Sequence, residues 1–209
     1  MSEYETAKLT LVEPSNHALN EVSKAVNTEE VQSEFIQGLI DRMIELSEGK
    51  GHGNEDSRQM VGLSAVQLGV LKRVITIDLT ADGSNREQTL QPIINPVLSE
   101  ISEEKVDGRE GCWSCANICG NVERCKSVKL SGLDAAGSPI TFDLSDFVAR
   151  IAQHEVDHLD GIRFPARIPL DQPERLHHVV PHEFDRYRNE WQSWDNLATR
   201  EQWDAVQKI

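Results

Sequence analysis

The sequence predicts an α+β fold, with antiparallel or mixed strands packed around one late central helix and further helices toward each end. Three observations carry that expectation. Apolar residues recur at helical spacing early in the chain, strand-like segments bounded by turn residues fill the middle, and a second helical stretch follows them. With 209 residues, 38% apolar and 27% charged, the chain is long enough to bury a sizeable core and too apolar to be disordered.

The first helix is expected over residues 29–48, where Val31, Phe35, Leu39, Met43 and Leu46 recur every three or four positions with acidic residues between them. A loop rich in Gly and His, Gly49 to Asp56, ends it. Strands are expected at 70–79 and 89–98, divided by the turn chemistry of Asp82-Gly83-Ser84-Asn85, and at 127–134 and 140–144 around Ala136-Gly137-Ser138-Pro139. The central helix starts near Ser145, a residue type suited to N-capping, and stops at Gly161. Residues 183–209 read as a helical stretch carrying Trp191, Trp194 and Trp203. No segment has the composition of a linker, so residues 1–170 are expected to form one catalytic domain, with 171–209 a helical extension packed on it.

Charge narrows the partners. With 21 Lys and Arg against 35 Asp and Glu, the formal net charge is −14, which argues against direct contact with a nucleic-acid backbone or an anionic membrane. No apolar run approaches the roughly 18 residues that span a bilayer. Residues 1–15 contain no Arg and no signal-type apolar stretch, so neither a secretory nor a transit peptide is expected. Four cysteines, Cys112, Cys115, Cys119 and Cys125, crowd into one short segment. That clustering predicts metal chemistry or reduced thiols in a reducing compartment, and its spacing matches no common zinc finger. A four-cysteine metal-binding or redox-sensing protein is the non-enzyme alternative.

The sharpest motif is His154-Glu155-Val156-Asp157-His158 in the central helix. Two His at i and i+4 share one face about 6 Å apart, as two imidazoles on one metal require, and the intervening Glu can take a proton from an activated water. The third ligand is open on spacing alone. A metzincin would need His where Phe164 stands, whereas Glu174 or Glu183 would serve in a thermolysin-like arrangement. A thiolate from the cysteine cluster is the other solution. Cys112 suits it best, because Gly111 permits close approach and the N–H that follows can point at an oxyanion. Two Cys with one His, or one Cys with two His, and an open fourth position is catalytic geometry, and a thiolate with two imidazoles suits Fe(II), Zn(II), Co(II) or Ni(II).

Three segments in register resemble the peptide deformylase family. Met60-Val61-Gly62-Leu63-Ser64-Ala65-Val66-Gln67 is similar to its G-x-G-L-A-A-x-Q motif. Glu110-Gly111-Cys112-Trp113-Ser114 meets its E-G-C-x-S, and Gln153 to Gly161 meets its Q-H-E-x-D-H-L-x-G. The resemblance covers roughly residues 12–170 and implies a deformylase-like fold around the histidine-bearing helix. It implies Cys112, His154 and His158 as ligands of one divalent ion, iron first and zinc, nickel or cobalt as alternatives. Glu155 would be the proton carrier, with the Gln67 side chain and the Trp113 backbone N–H stabilising an oxyanion. Val61, Gly62, Phe147 and Ile151 would bind the peptide, although Phe147 and Ile151 equally suit a core at helical spacing. Asp157 and Gln153 would orient ligands, with Arg150 an alternative partner for Asp157. The implied substrate is an N-formyl-methionyl peptide.

Departures from the family pattern shape the remaining expectations. Met60 and Ser64 replace a Gly and an Ala, and the form V-G-L-S-A-x-Q of residues 61–67 resembles the variant of eukaryotic organellar members. Cys115-Ala116-Asn117 replaces the hydrophobic-Pro-Gly segment of the substrate groove, which motivates an alternative amidase acting on another N-formyl or small N-acyl amide. Cys115, Cys119 and Cys125 are expected to be small buried residues. The tail lacks the basic character that some bacterial members use at the ribosome, so its tryptophans should pack on the domain or a partner subunit. Any ribosome contact would be indirect. A monomer or homodimer in the cytoplasm is expected, with a mitochondrial or plastid interior as the alternative.

Overall fold

The computed structural model describes residues 6, 8–50, 59–82 and 87–208; most of the Gly- and His-rich loop and of the Asp82–Asn85 turn lies outside them. Helix α1 spans Glu34–Ser47, later than expected, because Ser33 occupies the N-cap and its hydroxyl accepts from the Ile36 N–H at 3.3 Å. Residues Thr28–Glu30 form a separate 3-10 turn instead, with Glu30 accepting from the Asn27 N–H.

Five antiparallel strands form the first sheet: β1 (Gly62–Ser64), β2 (Val74–Asp78), β3 (Leu90–Ser99), β6 (Ser127–Leu133) and β7 (Pro139–Ser145), in the order β1-β2-β3-β6-β7. Strand β2 is buried throughout because both faces of the sheet are covered. Val74 and Ile94 pack with Ile36, Leu39, Met43 and Leu46 of α1. Ile75, Ile77 and Ile93 point the other way, onto Ala149, Ile151, Ala152, Val156 and Leu159 of helix α2, Asp146–Leu159. Ser145 is the N-cap residue of α2, as expected, but its side chain makes no capping hydrogen bond. The helix ends where Gly161 adopts φ +73°, a conformation open to glycine.

A second sheet, absent from the sequence reading, carries the motif cysteines. Strands β4 (Lys105–Gly111), β5 (Ile118–Cys125) and β8 (Leu176–His178) pair antiparallel in the order β4-β5-β8. Helix α2 lies between the two sheets, its apolar side on the first and its Arg150 and Asp157 turned toward β4 and β5.

The C-terminal stretch is not one helix. It comprises α3 (Phe184–Glu190), a 3-10 turn at Trp191–Ser193, extended chain, and α4 (Arg200–Lys208). The extended part is held by tertiary bonds: the His178 N–H donates to the Asn196 carbonyl, and the Trp194 indole donates to the His178 carbonyl. Trp203 packs with Ile118, Phe164 and Leu176, under the Arg163 guanidinium, while Trp194 and Tyr187 pack beside Cys119. No helix among the described residues is long and apolar enough to cross a membrane.

Candidate active site

Three elements converge at one end of α2. The helix presents His154 and His158 on one face, their rings edge to face with centroids 4.8 Å apart. Strand β4 delivers Cys112 in extended conformation immediately after its last residue, at the start of a 3-10 turn, Trp113–Cys115. Strand β1 runs into a second 3-10 turn, Ala65–Leu68, that carries Gln67.

The donor atoms of Cys112, His154 and His158 all lie within 4.8 Å of one another, and Cys112 Sγ stands 3.3 Å from His158 Nε2. Among the described residues this is the group of Cys, His and carboxylate donors close enough to share an ion. A hydrogen bond from the Cys115 thiol, helped by the two imidazoles, holds Cys112 well below the usual thiol range despite burial, which favours the thiolate. Glu174 and Glu183, the alternative third ligands, are elsewhere: Glu183 accepts from the Val180 N–H, and Glu174 lies beside His177.

The Glu110 carboxylate fixes the orientation of His154. Glu110 and Cys112 are two apart on an extended chain and so share a face. Glu110 lies 2.9 Å from His154 Nδ1, which keeps the proton on that nitrogen and leaves Nε2 free for a metal. Burial drives the Glu110 carboxyl upward, but hydrogen bonds from Arg124 and His154 outweigh it and hold the group well below the usual carboxylate range. Arg124 grips it with two bonds, 2.8 and 2.9 Å, and Arg150 adds a third at 2.9 Å. Burial opposes charge on His154 too, yet the Cys112 thiolate and Glu110 raise it well above an ordinary histidine. This negative surrounding is what a divalent cation needs, and a thiolate with two oriented imidazoles is a donor set that fits one.

Glu155, 4% exposed, follows the first histidine. Burial pushes its carboxyl up against the pull of both histidines, a condition that would suit a group taking and returning a proton. The Ser64 hydroxyl is 2.5 Å from its carboxylate and 3.0 Å from its carbonyl. Gln67, 3% exposed, accepts from the Ser64 N–H through Oε1 at 2.9 Å. That bond turns its amide nitrogen toward the cysteine, 3.3 Å from Cys112 Sγ. Trp113 begins its 3-10 turn, so its N–H has no carbonyl partner within that turn. A cavity of about 330 Å³ joins these groups to Val61, Gly62, Phe147 and Ile151. Ile151 is also buried in the core beneath α2, and Phe147 packs against it.

Some expected contacts differ. Asp157 pairs with Arg124 and Arg167, not Arg150, because Arg150 is occupied by Glu110 and by the Val106 and Val122 carbonyls. Gln153 orients no ligand; its amide bonds both backbone groups of Cys125 and locks α2 to β5. Cys115 and Cys119 are buried, and burial raises both thiols, Cys119 to about 12, so they stay neutral. Sequence reasoning missed Glu110, although its two-residue offset from Cys112 was a readable signal. It also missed Pro181, Phe184, Tyr187 and Arg188, which wall an adjoining cavity with Trp113, Ala116 and Asn117 and carry no local pattern.

Residues 8–174 match the family model described as polypeptide deformylase. The chain is 41% identical over 143 residues to "Peptide deformylase 1" of Corynebacterium efficiens, covering 68% of this chain and 76% of that protein. It resembles the Met-Ala-Ser-bound crystal structure of a class I type b peptide deformylase from Acinetobacter baumannii with a TM-score of 0.66 at 31% identity, over 77% of this chain and 98% of that one. The actinonin complex of peptide deformylase from Ehrlichia chaffeensis matches with a TM-score of 0.65 at 28% identity, over 88% and 97%.

Proposed function

The chain belongs to the peptide deformylase family, and from that premise we infer that it removes the N-formyl group from the N-terminal methionine of nascent peptides by metal-dependent hydrolysis. The observation that carries the residue assignment is the closure of Cys112, His154 and His158 onto one point beside Glu155 and Gln67. We take those three as the ligands and iron(II) as the native ion, with zinc, nickel and cobalt acceptable to the same donors. When bound there, the ion supplies Lewis acidity and brings water's pKa toward neutrality.

The chain's own residues do the rest. Glu155 removes a proton from the attacking water and hands it to the departing amine as the formyl carbon–nitrogen bond breaks, giving formate and a free N-terminus. The Gln67 amide and the Trp113 N–H donate to the oxyanion that develops on the formyl oxygen. Val61, Phe147 and Ile151 enclose the methionine side chain, and the Gly62 backbone pairs with the extended peptide as an added strand would. Glu110 holds His154 in the binding tautomer throughout.

Residues 171–209 are read as an integral extension, since β8 completes the cysteine-bearing sheet. Four free cysteines support a reducing cytoplasmic interior. The charge of −14 supports arrival of the peptide by diffusion or a protein contact, not through nucleic acid, with the chain a monomer or homodimer. The test is anaerobic purification with Fe(II), metal analysis, and assay of formyl-Met-Ala-Ser. Turnover that vanishes in Glu155→Gln while the metal stays is expected; a loaded wild-type protein that leaves the peptide formylated overturns the reading.

A further inference from the structure

Two arginines stand apart from the rest. Every other described arginine has its guanidinium on a carboxylate or a carbonyl, as Arg73 does on Asp160 and Arg200 on the Ile168 carbonyl. Arg109 and Arg188 have neither a hydrogen bond nor an ion pair among the described residues, yet they line the same cavities, near enough for the Arg188 charge to act on Arg109. Arg109 is half-buried on β4, one residue before Glu110, and Arg188 is exposed on α3. Alternation along β4 sends Glu110 toward α2 and Arg109 toward the C-terminal segment.

Both side chains line two cavities at once. One is the cavity of Cys112, His154 and Glu155; the other, about 530 Å³, continues outward past Trp113, Ala116 and Asn117 to Phe184 and Tyr187. A peptide that extends from the inner cavity into the outer one runs along the two guanidiniums. Burial and the Arg188 charge both work against the charge on Arg109. No Asp or Glu among the described residues pairs with either guanidinium. Glu13 lines only the outer cavity, is exposed, and makes no ion pair with either arginine. A half-buried guanidinium and an exposed one lining the same cavities, with no counterion among the described residues, form a place that an incoming anion would stabilise.

We propose that Arg109 and Arg188 form an anion subsite that selects peptides bearing a carboxylate within the few residues after the formylated methionine. The inference rests on the deformylase reading for what enters the cavity. The carboxylate has two sources: an acidic side chain next to the methionine, or the free C-terminus of a short peptide.

The experiment compares kcat/KM at low ionic strength for formyl-Met-Glu-Ser-amide against formyl-Met-Gln-Ser-amide, and for formyl-Met-Ala-Ser against its amide. Calorimetric binding of the deformylated products Met-Glu-Ser-amide and Met-Gln-Ser-amide runs in parallel, so that a readout survives without turnover. A preference of about tenfold for the carboxylate is expected in at least one pair, shrinking as salt rises. The pair that shows it identifies the source. Arg188→Gln and Arg109→Gln should each bring the ratio toward one, and Arg188→Glu should turn it toward a peptide with Lys in place of Glu. Arg188 is exposed, so its variants test the idea even where Arg109→Gln fails to fold. Wild-type ratios within twofold of one in both turnover and binding, or ratios untouched by the substitutions, overturn the subsite. Arginine-dependent binding of the acidic product without turnover of any formyl peptide would support the subsite and reject the deformylase reading.

Discussion

Gly62 sits so close to α2 that adding one methyl group should displace Glu155, the proposed proton carrier, without touching Cys112, His154 or His158. A Cβ built on Gly62 falls 2.5 Å from Glu155 Oε1 and 2.8 Å from Ile151 Cγ2, whereas ordinary contact begins at 3.4 Å. The carboxylate must therefore retreat by 3.4 − 2.5, or 0.9 Å, out of the position set by the Ser64 hydroxyl. Displacing a reacting group by about 1 Å costs on the order of 100-fold in rate. The Ile151 contact adds overpacking worth about 1–3 kcal/mol of stability. Gly62→Ala should accordingly drop kcat on formyl-Met-Ala-Ser by about 100-fold, lower Tm by several degrees and retain one metal per chain. Amine release, metal analysis and thermal unfolding measure the three. A folded, metal-loaded Gly62→Ala enzyme with kcat within threefold of wild type would refute the close-approach reasoning.

Three further outcomes follow from the same geometry. Glu110→Gln removes the charge that Arg124 and Arg150 share and the acceptor that orients His154; metal affinity should fall about 10–100-fold in chelator competition, and stability by up to about 3–5 kcal/mol in urea unfolding. Ala116 adopts φ 51° and ψ −127°, a region that favours glycine, so Ala116→Gly should gain about 1 kcal/mol after its greater unfolded freedom is counted, or roughly 2–4 °C in Tm. His177 is buried between the Tyr187 hydroxyl and the Glu174 carbonyl, and burial lowers its pKa below 6.5. Because the unfolded chain takes the proton first, the stability that His177 contributes is fully present above about pH 6.5 and declines as pH falls through that value. Tm measured from pH 8 to 5 should drop less in His177→Gln than in wild type.

The cluster of Cys112, His154 and His158 that could hold a metal was legible because its donors are written at spacings that physics restricts: i and i+4 on a helix, and a cysteine after a glycine. The sheet that delivers the cysteine was not. Lys105 to Gly111 reads Lys-Val-Asp-Gly-Arg-Glu-Gly, with charges and glycines where an alternating strand would show apolar residues. It is a strand because β5 pairs with it and because its inward residue, Glu110, meets arginines instead of hydrocarbon. The C-terminal expectation failed for a similar reason. Helical periodicity continues past Trp191, but bonds from His178 and Trp194 pull residues 194–199 into extended chain, and no local sequence reports such distant partners. The α1 start moved to Glu34 because Ser33 competes as a cap with a turn already closed by Asn27 and Glu30. Residues that wall the groove from α3 were invisible for the same cause, since only the folded chain brings Arg188 beside Arg109.

Whether Cys112, His154 and His158 hold the ion is answered most directly by X-ray absorption on the zinc-loaded protein. One sulfur at about 2.3 Å and two imidazole nitrogens at about 2.0–2.1 Å are the expected coordination, with a light atom completing four. Two or more sulfurs around the ion, drawing in Cys115 or Cys119, or a coordination sphere without sulfur, would contradict it.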